Sequence, residues 1–147
     1  MVLFDEERVL DPQADKTNVV LPFTVPAGLT TLQIEMEYDP PTPPESVGRE
    51  AVKAALARYA RAVTQPDPDG YLPVYNLITL SLDDPSGYRG AAHRRATLQC
   101  HRLTAETASP GFLPGALQPG QWQAVLSAHC VLCPVTCRVR VTGEVTP

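Results

Sequence analysis

The chain has 147 residues, 44% apolar and 19% charged, a balance that describes a globular protein and excludes a disordered one. Its net charge of −4 argues against nucleic acid as a partner, because phosphate recognition needs a basic field. No apolar run approaches the roughly 20 residues of a membrane span, so no membrane partner is expected.

The opening MVLFDEER is acidic where a secretory leader is basic, which points to the cytoplasm. With 16 prolines and 9 glycines, long helices and uninterrupted central strands are disfavoured, and short strands joined by turns are expected. Val19 to Val25 (VVLPFTV) is an apolar, β-branched run, and Pro26-Ala27-Gly28 is the turn after it. From Leu29 to Asp39 the period is two. Leu32, Ile34, Met36 and Tyr38 alternate with Gln33, Glu35, Glu37 and Asp39, which predicts a half-buried strand with a solvated acidic face.

Pro40-Pro41-Thr42-Pro43-Pro44 ends that strand, and the period then changes. Residues 45–63 (ESVGREAVKAALARYARAV) are rich in good helix formers, and Val52, Leu56, Tyr59 and Val63 share one stripe. One amphipathic helix inserted in the sandwich is predicted. Its stripe either covers an open end or face of the sandwich or makes a partner or dimer contact.

After the loop TQPDPDG, the segment NLITLSLDD alternates again, with Ile78, Leu80 and Leu82 apolar. PSGYRG is a tight polar connection. Arg94 to Leu103 predicts a further strand, with Leu98 and Cys100 on one face and Gln99 and His101 on the other. The basic residues His93, Arg94, Arg95, His101 and Arg102 read as a solvated strand face, with an anion site as the sharper alternative. SPGFLPGALQPG is loop. Two strands follow: Gln121 to Val131 with Trp122, Ala124, Leu126 and Ala128 inward, and Val135 to Val145 with Val135, Cys137, Val139 and Val141 inward. They are expected to form a hairpin. The whole predicts a mainly β chain, one antiparallel, jelly-roll-like β-sandwich domain over residues 1–147.

Three segments in order, LPFTVPAGLTTLQIEMEYDP, NLITLSLDDPSGYRG and SPGFLPGALQPGQWQAVLSAH, resemble the N-terminal β-sandwich domain that precedes the PHP-type phosphoesterase domain in the CehA/McbA group. The resemblance covers most of the chain outside the helix and the cysteine-bearing end. PHP catalysis needs clustered His and Asp ligands holding metals, opened in the relatives by a His-x-His motif. This chain has His93, His101 and His129 and no His-x-His. The resemblance therefore implies a stand-alone accessory domain without hydrolase activity.

The cysteines depart from that pattern. Cys130, Cys133 and Cys137 form a C-x2-C-x3-C run beside His129, and Cys100-His101 lies on another strand. Zinc takes four thiolate or imidazole ligands, so Cys100, His101, Cys130, Cys133 and Cys137 are the candidate set for a structural site. Free thiols and a disulfide are the alternatives, the latter disfavoured in a reducing compartment.

No G-x-S-x-G, Walker loop or H-E-x-x-H is present, so no enzyme is expected. The leading expectation is a non-catalytic module that binds a protein partner, such as a separately encoded PHP-type hydrolase, or a small ligand. Its loops Pro85 to Ala92 and Ala108 to Gly120 would present Tyr88, Arg89, Phe112, Gln118 and Gln121. A zinc-binding protein and a lectin-like, carbohydrate-binding sandwich are the other readings, and self-association stays open.

Overall fold

The structure is a computed structural model that describes residues 1–146. Eight strands form two four-stranded antiparallel sheets, face to face: β1 Val2–Leu10, β2 Thr17–Val25, β3 Leu29–Asp39, β4 Leu77–Asp84, β5 Gly87–Ala92, β6 Leu98–Leu103, β7 Gly120–Cys130 and β8 Val135–Val145. The first sheet runs β1-β8-β3-β6 and the second β2-β7-β4-β5. The chain is a β-sandwich with one helix. No helix among the described residues is long and apolar enough to cross a membrane.

The period-two segments behave as their patterns require. Leu32, Ile34, Met36 and Tyr38 of β3 face Val139, Val141 and Cys137 of β8 on one inner face, all buried. Ile78, Leu80 and Leu82 of β4 join Trp122, Ala124, Leu126 and Ala128 of β7 on the other. The two faces meet in a single core, with Trp122 at 0% exposure near its centre.

Four expectations about the strands are corrected. PSGYRG, read as a connection, holds the start of strand β5. β7 and β8 are not a hairpin. They lie in different sheets, and Val131 to Pro134 carries the chain across the core edge between them. The strand expected from Arg94 begins at Leu98, and His101 points into the core at 2% exposure instead of joining a solvated basic face. The strand β1 had no counterpart in the pattern reading. It is an edge strand whose residues are mostly exposed, so no alternation marks it.

The helix is shorter than its periodic stretch. α1 spans Glu45–Arg58, and the chain loosens at Tyr59 into a 3-10 turn at Ala60–Ala62. Its main packing partner is a second 3-10 turn, Pro68–Tyr71, and not either sheet. Residues 42–75 thus form an arm beside the sandwich, where the covering of an open end or face was the plainer expectation. Its two roots meet where the Asn76 N–H donates to the Pro41 carbonyl at 2.9 Å. The buried Asn76 side chain also donates to the Pro40 carbonyl and accepts from the Leu132 N–H, tying the arm's base to the sheet crossover.

Candidate functional site

The two loops predicted to meet do meet, although the first of them is a hairpin. Pro85-Ser86 is the turn between β4 and β5, and Tyr88 pairs with Asp83. Arg89 turns inward beneath it. Its guanidinium donates to Asp84 at 3.0 Å and to the carbonyls of Leu113, Gly115 and Ala116 at 3.0–3.1 Å, and it lies 5.1 Å from the Trp122 ring. Arg89 is therefore a brace that closes one loop over the other, not a residue offered to a partner. Phe112 is corrected in the same way: at 6% exposure it belongs to the core and packs its ring 4.6 Å from that of His101. A charged residue in a polar hairpin reads as exposed because sequence does not show the three carbonyls that will receive it.

Tyr88, Gln118 and Gln121 do stand at the surface. Tyr88 is 62% exposed. Gln118 accepts from the Ser86 hydroxyl at 2.9 Å, and its carbonyl takes the Trp122 indole N–H at 2.8 Å. The end of the sandwich is thus held in one conformation by buried charge-assisted bonds, the condition under which loops bind at low ordering cost.

The five candidate metal ligands are not gathered. Cys100 is exposed on the outer face of β6, whereas His101, next to it, is inside. Cys137 is buried on the inner face of β8, where burial pushes its thiol up to about 12. Cys130 ends β7 in the opposite sheet, and Cys133 in the crossover accepts from the Asn76 amide at 3.4 Å. Among the described residues no three His, Cys, Asp or Glu side chains are grouped to hold a metal ion. All four cysteines are free thiols. Alternation explains the dispersal, since neighbouring strand residues face opposite sides.

The surface that pattern reading placed least well lies on the arm. Val52, Ala55 and Leu56 of α1 and Tyr59 just past its end line a groove of about 280 Å³ together with Ala62, Val63 and Tyr71. Its walls are predominantly apolar side chains, and Tyr59 and Tyr71 remain 58% and 43% exposed. These include the whole stripe seen in the sequence, with Val52 its most buried residue and Tyr59 its most exposed. The ion pairs of the arm join Arg49 to Glu45 and Asp69, and Lys53 to Glu50. Arg58, which lies 5.5 Å from the Tyr59 ring, and Arg61 have no acidic partner among the described residues. The groove lining is apolar, and Arg58 and Arg61 adjoin its residues Tyr59 and Ala62 in sequence without lining it.

No protein-family profile matches the chain, and no curated protein is significantly similar to it.

Proposed function

We propose that this chain is a non-catalytic binding module that captures an acidic, apolar segment of a protein partner in the groove of its helical arm. The observation that carries this reading is the open apolar groove formed by Val52, Leu56, Tyr59, Val63 and Tyr71. A monomeric surface seldom leaves grouped apolar side chains in water without a use for them. Amphipathic segments dock in such grooves by apolar anchors at helical spacing. Arg58 and Arg61, exposed and adjacent in sequence to Tyr59 and Ala62, favour a partner with carboxylates flanking its apolar face. The sandwich supplies the rigid base. A PHP-type hydrolase encoded in the same genome is the first partner to test, since the domain this sequence resembles is joined to one.

The experiment mixes the purified chain with that hydrolase and measures association by biolayer interferometry. Saturable binding is expected, weakened about tenfold or more by Tyr59→Ser, a loss of about 1.4 kcal/mol. Arg58→Glu should weaken it further at low salt than at high salt. Binding that both variants leave unchanged counts against the reading, as does no association with the hydrolase. Sedimentation with anionic vesicles, if it captured the chain in place of the protein, would make the arm a membrane contact and overturn it.

A further inference from the structure

The two outer faces of the sandwich differ in charge. Across β1, β8 and β3 the rows Asp5–Arg140–Glu35 and Glu7–Arg138–Glu37 alternate in sign. The opposite face has no such ladder. Its end row, Pro22–Gln123–Asp83–Tyr88, crosses all four strands of β2-β7-β4-β5, with Gln121 beside it. Asp83 is the one charged residue there. The next row inward is Val20–Val125–Ser81–Ala91, with a register shift in the β4–β5 pairing between the two rows.

The polar groups of this platform are unpaired. The local hydrogen bonds run from Ser86 to Gln118 and from Trp122 to the Gln118 carbonyl. Those leave the side chains of Gln121, Gln123 and Asp83 without a protein partner among the described residues. Each carboxamide offers two donors and an acceptor, and the carboxylate is a strong acceptor. An apolar protein surface laid over them would bury those groups without partners, which is unfavourable. An anionic polymer would meet Asp83 and no free cation, since Arg89 beneath is fully engaged.

We propose that this end of the β2-β7-β4-β5 face binds a neutral oligosaccharide. Hydroxyls are donors and acceptors at once, and they complement carboxamides and a carboxylate together. The C–H face of a pyranose packs on the exposed ring of Tyr88, as apolar ligand surface does on aromatic side chains. The row spans three strand spacings, about 14 Å, a length suited to a few sugar units. Arg89 and the Ser86–Gln118 bond hold the turn under Tyr88 in place, so little ordering is needed on binding.

The test titrates the uniformly ¹⁵N-labelled chain with maltohexaose, cellohexaose, xylohexaose, mannohexaose and chitohexaose at millimolar concentration. At least one should give saturable amide shifts at Asp83, Tyr88, Gln121 and Gln123. Tyr88→Ala and Gln123→Ala should each weaken that sugar about tenfold or more. Glu37→Ala, on the other face, should not, and nor should Tyr59→Ser on the arm. The proposal is overturned if none of the five sugars shifts these amides, if the shifts map elsewhere, or if Tyr88→Ala binds as the wild type does. Because the site shares no residue with the arm, its failure leaves the protein-partner reading standing, and the converse holds.

Discussion

Asp84 and Arg89 form an ion pair at 3.0 Å with side chains only 6% and 7% exposed. The other carboxylate oxygen of Asp84 accepts the Ser86 and Gly87 N–H groups, so one aspartate shapes the β4–β5 turn and anchors the cation beneath it. The guanidinium in turn satisfies three carbonyls of the 113–116 loop. Two loops distant in sequence are thus fastened by one buried charge pair.

Removing the cation alone should be severe. Arg89→Met leaves Asp84 charged and buried, and the expected loss is about 3–5 kcal/mol in urea unfolding. Arg89→Met combined with Asp84→Asn should cost less than the sum of the two single changes, because the stranded charge is gone. Additive losses would mean that the pair does not act as a unit.

Stability should fall in mild acid through His101. Burial first, and the nearby positive charge of Arg94 second, hold its imidazole below the ordinary value near 6.5. Above about pH 6.5 neither the folded nor the unfolded chain protonates it, and its contribution is complete. Below that, the unfolded state takes up the proton first, so stability drains as pH falls toward the depressed folded value. Urea midpoints measured between about pH 7.5 and 5 should show this slope, and His101→Gln should flatten it.

The cysteines should differ in reactivity by position. Cys100 is exposed, whereas Cys137 is 1% exposed with its thiol pushed up to about 12 by burial. Ellman's reagent should modify Cys100 first and reach Cys137 only on unfolding. The same burial predicts alkaline weakening. Above about pH 8.5 the unfolded thiol ionises while the folded one keeps its proton, so stability declines from there toward about 12. Cys137→Ala should lessen that decline without abolishing it, since burial also raises the Cys130 thiol.

The arm should be dispensable for folding. Its roots at Pro41 and Asn76 are already bonded, so replacing residues 42–75 with two glycines closes a gap that the native chain holds short. The Arg95–Tyr75 contact, 4.1 Å from guanidinium carbon to ring centre, would be lost at about 0.5–1 kcal/mol. Circular dichroism should retain the sandwich signal, and partner binding should vanish. Loss of the sandwich fold would show that the arm is structural.

The strands of the core were legible because alternation reports burial directly. Leu32 to Tyr38, Trp122 to Ala128 and Val135 to Val141 face inward as their spacing requires. At the predicted binding end, Tyr88, Gln118 and Gln121 were correctly read as surface residues, whereas Arg89 and Phe112 were not. Their burial depends on loop backbone more than 20 residues away from Arg89 and on the ring of His101. Strand β1 was missed because an edge strand with charged residues on both sides has no periodicity to read.

By itself the sequence determined the alternating core strands, where the helix begins, and which side of each of those strands is apolar, since those depend on neighbours two to four residues apart. Only the tertiary structure decided which sheet each strand joins. The inward rows of β7 and β8 would suit a hairpin or two facing sheets equally well, and the fold takes the second, with Val131 to Pro134 crossing between the sheets. Tertiary structure alone also scattered the cysteines between faces and sheets, turned Arg89 from a displayed residue into a brace, and left the helical stripe open beside the sandwich. Each of these outcomes rests on contacts between segments far apart in the chain, which local periodicity does not encode.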